Sequence, residues 1–326
     1  MARVSVQLTN FTAGELSPRL DGRNDLSKYP SGCKTLENFI VYPHGSAARR
    51  SGTQFISEVK TSANKTRLIP FEFSTTQTYI LEFGNQYIRI YKDKGQVQSG
   101  GSAVEIATPY LTAELFDIKF AQSADVMYIV HPNHATRKLS RTSHINWTLT
   151  TCNFTNGPFQ DTNTSTTTLT PSATTGSVTI TASANTFVST DVDRLVRIGD
   201  GIAKITGFTS ATEVNATTST DFANTNASTN FSLGAFSTTT GFPSTVTFFE
   251  QRLVFAGTIN QPQTIFFSKS GDYENMDANI GGTISDSDAI IYTIASNQVN
   301  AIRFMTATRT LIIGTAGGEF TVSGGG

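Results

Sequence analysis

The sequence predicts an all-β protein, and three observations carry that prediction. Gly, Thr, Ser and Asn are abundant, while 15% of residues are charged and 38% hydrophobic; this mix favours short strands and many turns. Apolar residues gather in short runs bounded by Gly, Asn or Pro. Those runs come in pairs that recur at intervals of about 50 residues, the signature of a repeated strand unit.

The chain opens on ARVSVQLT (residues 2–9), whose alternation predicts one short strand. Gly14, Pro18, Gly22, Pro30 and Gly32 then follow closely enough to forbid a long helix. A short helix fits Asp25 to Tyr29, with Asn24 as N-cap and Pro30 ending it. A second fits Lys34 to Phe39. Tyr42-Pro43-His44-Gly45 reads as a turn, and Arg49-Arg50-Ser51-Gly52 as the lead into a strand from Thr53 to Val59.

From Thr66 the texture changes. LIPFEF (68–73), TYILEF (78–83) and YIRIY (87–91) predict a meander with a turn at Gly84-Asn85-Gln86. VMYIV (126–130) pairs with TRKLS (136–140), RLVFAG (252–257) with TIFFS (264–268), and TLIIGT (310–315) with EFTVS (319–323). Meandering strands at this period suggest propeller-like antiparallel blades, since a blade buries both faces only by stacking on its neighbours.

Between the second and third units lies an insertion, Gln160 to Ser237. SVTITAS (177–183), RLVRIG (194–199), IAKITGF (202–208) and TEVNATT (212–218) predict a small β-sandwich or barrel, with a hairpin at Gly199-Asp200-Gly201. Its Thr- and Asn-rich flanks, 161–170 and 219–232, read as linkers or mobile loops. The expected organisation is an irregular N-terminal docking segment (1–65), first blades (66–159), the inserted domain (160–237) and further blades (238–326), with the chain continuing beyond.

Net charge is −1 but unevenly spread: residues 1–70 hold 10 Lys/Arg against 5 Asp/Glu, the remainder 14 against 20. A basic start on a mildly acidic body suggests a docking surface or an anionic neighbour. Met1 to Asn10 alternates polar and apolar residues, so a signal peptide is not expected there, and no apolar run is long enough to span a membrane. Cys33 and Cys152 stand far apart and suggest neither a disulfide framework nor a metal site.

Chemistry-bearing motifs are scarce. His131 and His134 in HPNH have a metal-like spacing, but with no acidic or Cys neighbour in sequence they read as a turn. GDGIAK (199–204) opens no helix and reads as a hairpin. DVD (191–193) and DSD (286–288) lack the acidic spacing of a calcium loop. The expectation is a non-enzyme with no cofactor and no metal. The arginines of the first 70 residues suit carboxylate or phosphate contacts. Without a recognition helix or interleaved aromatics they read as inter-subunit contacts before DNA contacts.

The run GELSPRLDGRNDLSKYPSGCKTLENFIVYPHGSAARRSGTQFI resembles the start of tail nozzle proteins of short-tailed bacteriophages, also called tail tubular protein B or packaged-DNA stabilisation proteins. Gly14, Ser17, Tyr29, Pro30, Asn38, Gly45, Arg49, Arg50 and Gly52 carry the likeness. FFEQRLVFAGTINQPQTIFFSKSGDYENM and LIIGTAGGEF are similar to the propeller part of that family; the insertion is not covered. Members are usually much longer, which is why a continuing chain is expected. The resemblance implies a homo-hexameric virion ring beneath the portal adaptor ring, assembled in the host cytoplasm. Tail fibres or spikes are further partners, and double-stranded DNA would pass through its channel without sequence specificity. It places adaptor or subunit docking on Arg19, Arg23, Tyr29, Pro30, Asn38, Arg49 and Arg50. The alternative is a tail-associated module that binds or degrades polysaccharide.

Overall fold

The computed structural model describes residues 7–279, 282–295 and 299–324. It is all-β, 44% strand and 3% helical, with many antiparallel sheets and one half-barrel. The chain divides into two units, residues 1–56 and 57–326.

The smaller unit has little regular structure. Gly14–Glu15 pairs in parallel with Gly32–Cys33, and Phe39–Val41 pairs with Ala47–Arg49. Two single-turn 3-10 helices cover Pro18–Leu20 and Tyr29–Ser31. Three expectations fail here. No helix forms at 25–29, and Pro30 lies inside a 3-10 turn instead of ending a helix. Lys34 to Phe39 is not helical, and Thr53 to Val59 is not a strand. The common reason is that a short helix or a lone strand is marginal without an apolar face to bury, and no apolar side chain among residues 7–56 is buried. The strand expected at 2–9 falls mostly outside the described residues; 7–9 are irregular. The turn at Tyr42 to Gly45 forms, closed by the Gly45 N–H on the Tyr42 carbonyl at 3.0 Å.

The larger unit holds four meandering sheets. The first runs Arg67–Glu72, Thr78–Gly84, Tyr87–Lys92 and Glu105–Ala107, each antiparallel to the one before. The second runs Lys119–Ser123, Val126–His131, His134–Arg141 and Trp147–Thr151. The third runs Thr245–Phe249, Arg252–Ala256, Thr264–Phe267 and Ile290–Thr293. The fourth has three strands, Ile302–Ala307, Leu311–Thr315 and Glu319–Val322. In the last three sheets the pair legible in the sequence is the middle of the meander or its end. The missing partners, such as Lys119–Ser123, are short, paired on one side and mixed in polarity.

Stacking explains the sequence pattern. Ile69, Phe71, Leu81 and Phe83 of the first sheet pack against Met127, Ile129 and Leu139 of the second. The alternate residues Tyr128 and Val130 point the other way, onto Leu253, Phe255 and Phe266 of the third. Val254 and Ala256, alternating with those, pack on Ile302, Met305, Leu311 and Ile313 of the fourth. VMYIV and RLVFA are continuous apolar runs because both faces of these strands are covered. Phe supplies much of the filling: Phe154, Phe236, Phe255 and Phe266 form an edge-to-face chain with centroids 4.9 to 5.9 Å apart. The first strands of the second, third and fourth sheets lie side by side in that order.

The outer strand Arg67–Glu72 alternates instead: Ile69 and Phe71 are buried, whereas Leu68, at 64% exposed, faces solvent. Pro70, which lacks an N–H, is tolerated because this is an edge strand.

The inserted region forms one six-stranded sheet in the order Leu169–Pro171, Ser177–Ala182, Glu213–Thr220, Gly201–Ser210, Leu195–Ile198, Phe231–Leu233. Its core is its own, with Leu169, Ile180, Val196, Ile205, Val214 and Phe231 at the centre. The Gly199-Asp200-Gly201 hairpin forms, Ile198 pairing with Gly201. The flanks are not loose linkers. Each carries a large residue that is buried, Leu169 on one side and Phe222 and Phe231 on the other. The Asn163 amide ties them, donating to the carbonyls of Ser165, Thr167 and Thr229.

Candidate functional site

The sequence-predicted docking residues all lie in the smaller unit, 1–56. Their partners differ. Arg23 is engaged by Asp25 in a two-point contact of 2.7 and 2.6 Å. Both groups are exposed; the hydrogen-bonded partner raises the guanidinium and lowers the carboxyl from their ordinary values. Arg50 closes the hairpin of Phe39–Val41 and Ala47–Arg49: its Nε donates to Asn38 Oδ1 at 2.7 Å, and its backbone N–H to the Asn38 carbonyl at 3.0 Å. Asn38 sits at φ 62°, a left-handed conformation that Asn tolerates. The Tyr29 hydroxyl accepts the Gly22 N–H at 3.0 Å, which holds the 3-10 turn containing Pro30 against the preceding loop.

Arg19 and Arg49 are different. Neither side chain has an ion pair or hydrogen bond among the described residues, and both are exposed. The adjacent pair Arg49-Arg50, a single basic element in the sequence, therefore divides into a free cation and a hairpin clasp.

Around these cations the unit presents apolar surface. Phe39, Ile40, Tyr42 and Ile56 are exposed, and Phe55 is 81% exposed. The tight places are glycines against side chains: a Cβ at Gly32 would meet the Leu16 side chain at 2.5 Å, and Gly45, at φ +106°, packs on the Asn10 side chain. The arrangement offers cations and apolar side chains on a frame shaped by backbone hydrogen bonds.

The other motifs resolve in the larger unit. Asp191 pairs with Arg194 at 2.8 Å, Asp193 with Lys204 at 2.9 Å, and Asp288 with Lys269 at 2.9 Å. The acidic clusters thus bind cationic side chains. HPNH forms the expected turn, but the fold adds what the sequence did not show, Glu114, seventeen positions before His131. Its only signal was an acidic residue in a turn-rich connection. Among the described residues, no helix is long and apolar enough to cross a membrane.

No protein-family model matches the chain, and no curated protein matches it at a significant level.

Proposed function

We propose that the chain is a structural protein of a short-tailed phage, forming the tail nozzle ring below the portal adaptor. In this reading the four stacked meanders are propeller blades, and the ring is a homo-hexamer with a central channel. Packaged double-stranded DNA is held above it and later leaves through it, without sequence recognition and without catalysis. The protein assembles in the host cytoplasm and resides in the virion, in contact with the adaptor ring and with fibres or spikes.

The observation that carries this reading is the character of residues 7–56. The stretch with the family-like motif is also the one with no buried apolar side chain. Burial is the main offset to the entropy of ordering a chain, so such a segment gains its stability by docking on a partner. A free Arg49 beside Phe39 and Ile40 suits an adaptor or neighbouring subunit with carboxylates at the rim of an apolar patch.

The test is direct. Full-length protein should form a sixfold ring by electron microscopy and be found in purified particles by mass spectrometry. Arg49→Ala should impair ring formation or attachment to the adaptor while leaving the fold intact. A monomeric chain absent from particles overturns the reading.

A second reading, a polysaccharide-binding or polysaccharide-degrading tail module, draws on one observation. A crevice of about 910 Å³ lies between the six-stranded sheet and the neighbouring meanders, lined by Asn153, Asn156, Asp193, Lys204, Phe236 and Thr238. Failure to form rings, together with retention on host polysaccharide, would favour it.

A further inference from the structure

The hairpin joining Val126–His131 to His134–Arg141 pairs His131 with His134 across Pro132-Asn133. Paired residues share a sheet face, so the two imidazoles meet, with ring centroids 5.0 Å apart. Glu114 approaches from the connection between the first and second sheets. One ring nitrogen of each histidine and a Glu114 carboxylate oxygen lie within 4.8 Å of one another.

Glu114 is held in place. Its Oε2 lies 2.9 Å from His134 Nε2 and accepts the Leu111 N–H at 2.9 Å. Tyr110, fully buried, packs edge-on against the His134 ring at 5.3 Å and fixes its plane.

A second, independent feature points to a ligand. His131 is 2% exposed, and its Nε2 has no hydrogen-bond partner. Buried ring nitrogens are nearly always satisfied. The other nitrogen, Nδ1, accepts the Asn133 N–H at 3.1 Å.

We propose that Glu114, His131 and His134 form a binding site for a divalent transition metal, with Zn²⁺ the fitting ion. Two imidazoles and one carboxylate are a donor set that zinc takes, and imidazole disfavours calcium and magnesium. Glu114 and His134 are each about one-fifth exposed, so an ion can enter and water can complete its coordination. Loading moves the His134 proton from Nε2, where it faces Glu114, to Nδ1, so that Nε2 and the Glu114 carboxylate both turn their lone pairs to the ion. At His131 the Nε2 proton moves to Nδ1, and the Asn133 N–H turns away, so the turn shifts on binding. The ion then ties the connection between two sheets to a hairpin of the second.

The test uses the full chain, stripped with EDTA and dialysed, then titrated with ZnCl₂ alone by calorimetry and with CoCl₂ by visible absorption. The expected result is one ion per chain, a four-coordinate cobalt spectrum and a higher melting temperature. Glu114→Gln and His134→Ala should each weaken binding more than about tenfold, and His44→Ala, in the other unit, should leave it unchanged. Glu114→Gln retains an acceptor for the Leu111 N–H, so its fold, checked by circular dichroism, should persist. Absence of saturable binding, or equal affinity in the native chain and in folded Glu114→Gln, overturns the proposal.

Discussion

Residues 7–56 and the four stacked sheets are stabilised in opposite ways. In the sheets, alternate residues of one strand serve two cores: Met127 and Ile129 one, Tyr128 and Val130 the next. In the smaller unit the chain is shaped by backbone contacts such as the Phe11 N–H on the Gly45 carbonyl at 2.8 Å and the Leu16 N–H on the Cys33 carbonyl at 2.9 Å. Phe39, Tyr42 and Phe55 remain in solvent. Hydrogen bonds exchanged with water contribute little net stability, whereas buried apolar area contributes much. One region is therefore held by its own buried apolar surface, and the other mainly by hydrogen bonds.

The sharpest way to break that comparison is to remove a ring from each side. Phe255→Ala should cost about 3–5 kcal/mol in denaturant unfolding, because Phe255 is fully buried between two sheets. Phe55→Ala, by the same measurement, should change stability by less than about 0.5 kcal/mol. Equal losses would show that the smaller unit has a core after all.

A second contrast uses ion pairs. Asp191 is buried; it accepts from Arg194 at 2.8 Å, from Thr239 Oγ1 at 2.7 Å and from the Val188 N–H at 3.0 Å. Burial pulls the Arg194 guanidinium down from its ordinary value, against the opposing pull of Asp191. Asp191→Ala strands that cation and should cost about 3 kcal/mol. Asp25→Ala, at the exposed Arg23 pair, should leave the unfolding curve unmoved.

The smallest effect is titratable. Burial raises Glu105, but Lys60 and Arg89, the latter at 2.9 Å, outweigh it and hold its carboxyl below the ordinary value of 4.5. A depressed folded value means the pair stabilises fully above the unfolded carboxyl range, and that increment is lost as pH falls through the folded value. Unfolding followed from pH 7 downward should show the loss only below about pH 4.5. Glu105→Gln should remove it, a change under about 1 kcal/mol.

Much of the fold was legible. Continuous apolar runs such as VMYIV and RLVFA announced strands buried on both faces, and Gly199-Asp200 announced its hairpin. The failures share a cause. The helices expected at 25–29 and 34–39 rested on local signals that no packing face supported. The flanks 161–170 and 219–232 looked like linkers because Thr and Asn dominate them; Leu169, Phe222 and Phe231 are single residues whose burial depends on distant strands. At the functional residues, the basic character of the N-terminal stretch was plain. The separation of free Arg49 from clasping Arg50 was not, because it depends on Asn38 reaching across the hairpin. HPNH was correctly a turn, yet Glu114 became its neighbour only through the connection between two sheets.

The sequence by itself determined the all-β class, the position of most strands and the weakness of the N-terminal stretch, because strand alternation, turn chemistry and Gly/Pro density are local properties of the chain. Tertiary structure alone decided which sheet faces which, where Glu114 meets two histidines, and which arginines remain free. Alternation records how many faces of a strand are buried. It carries no record of what buries them.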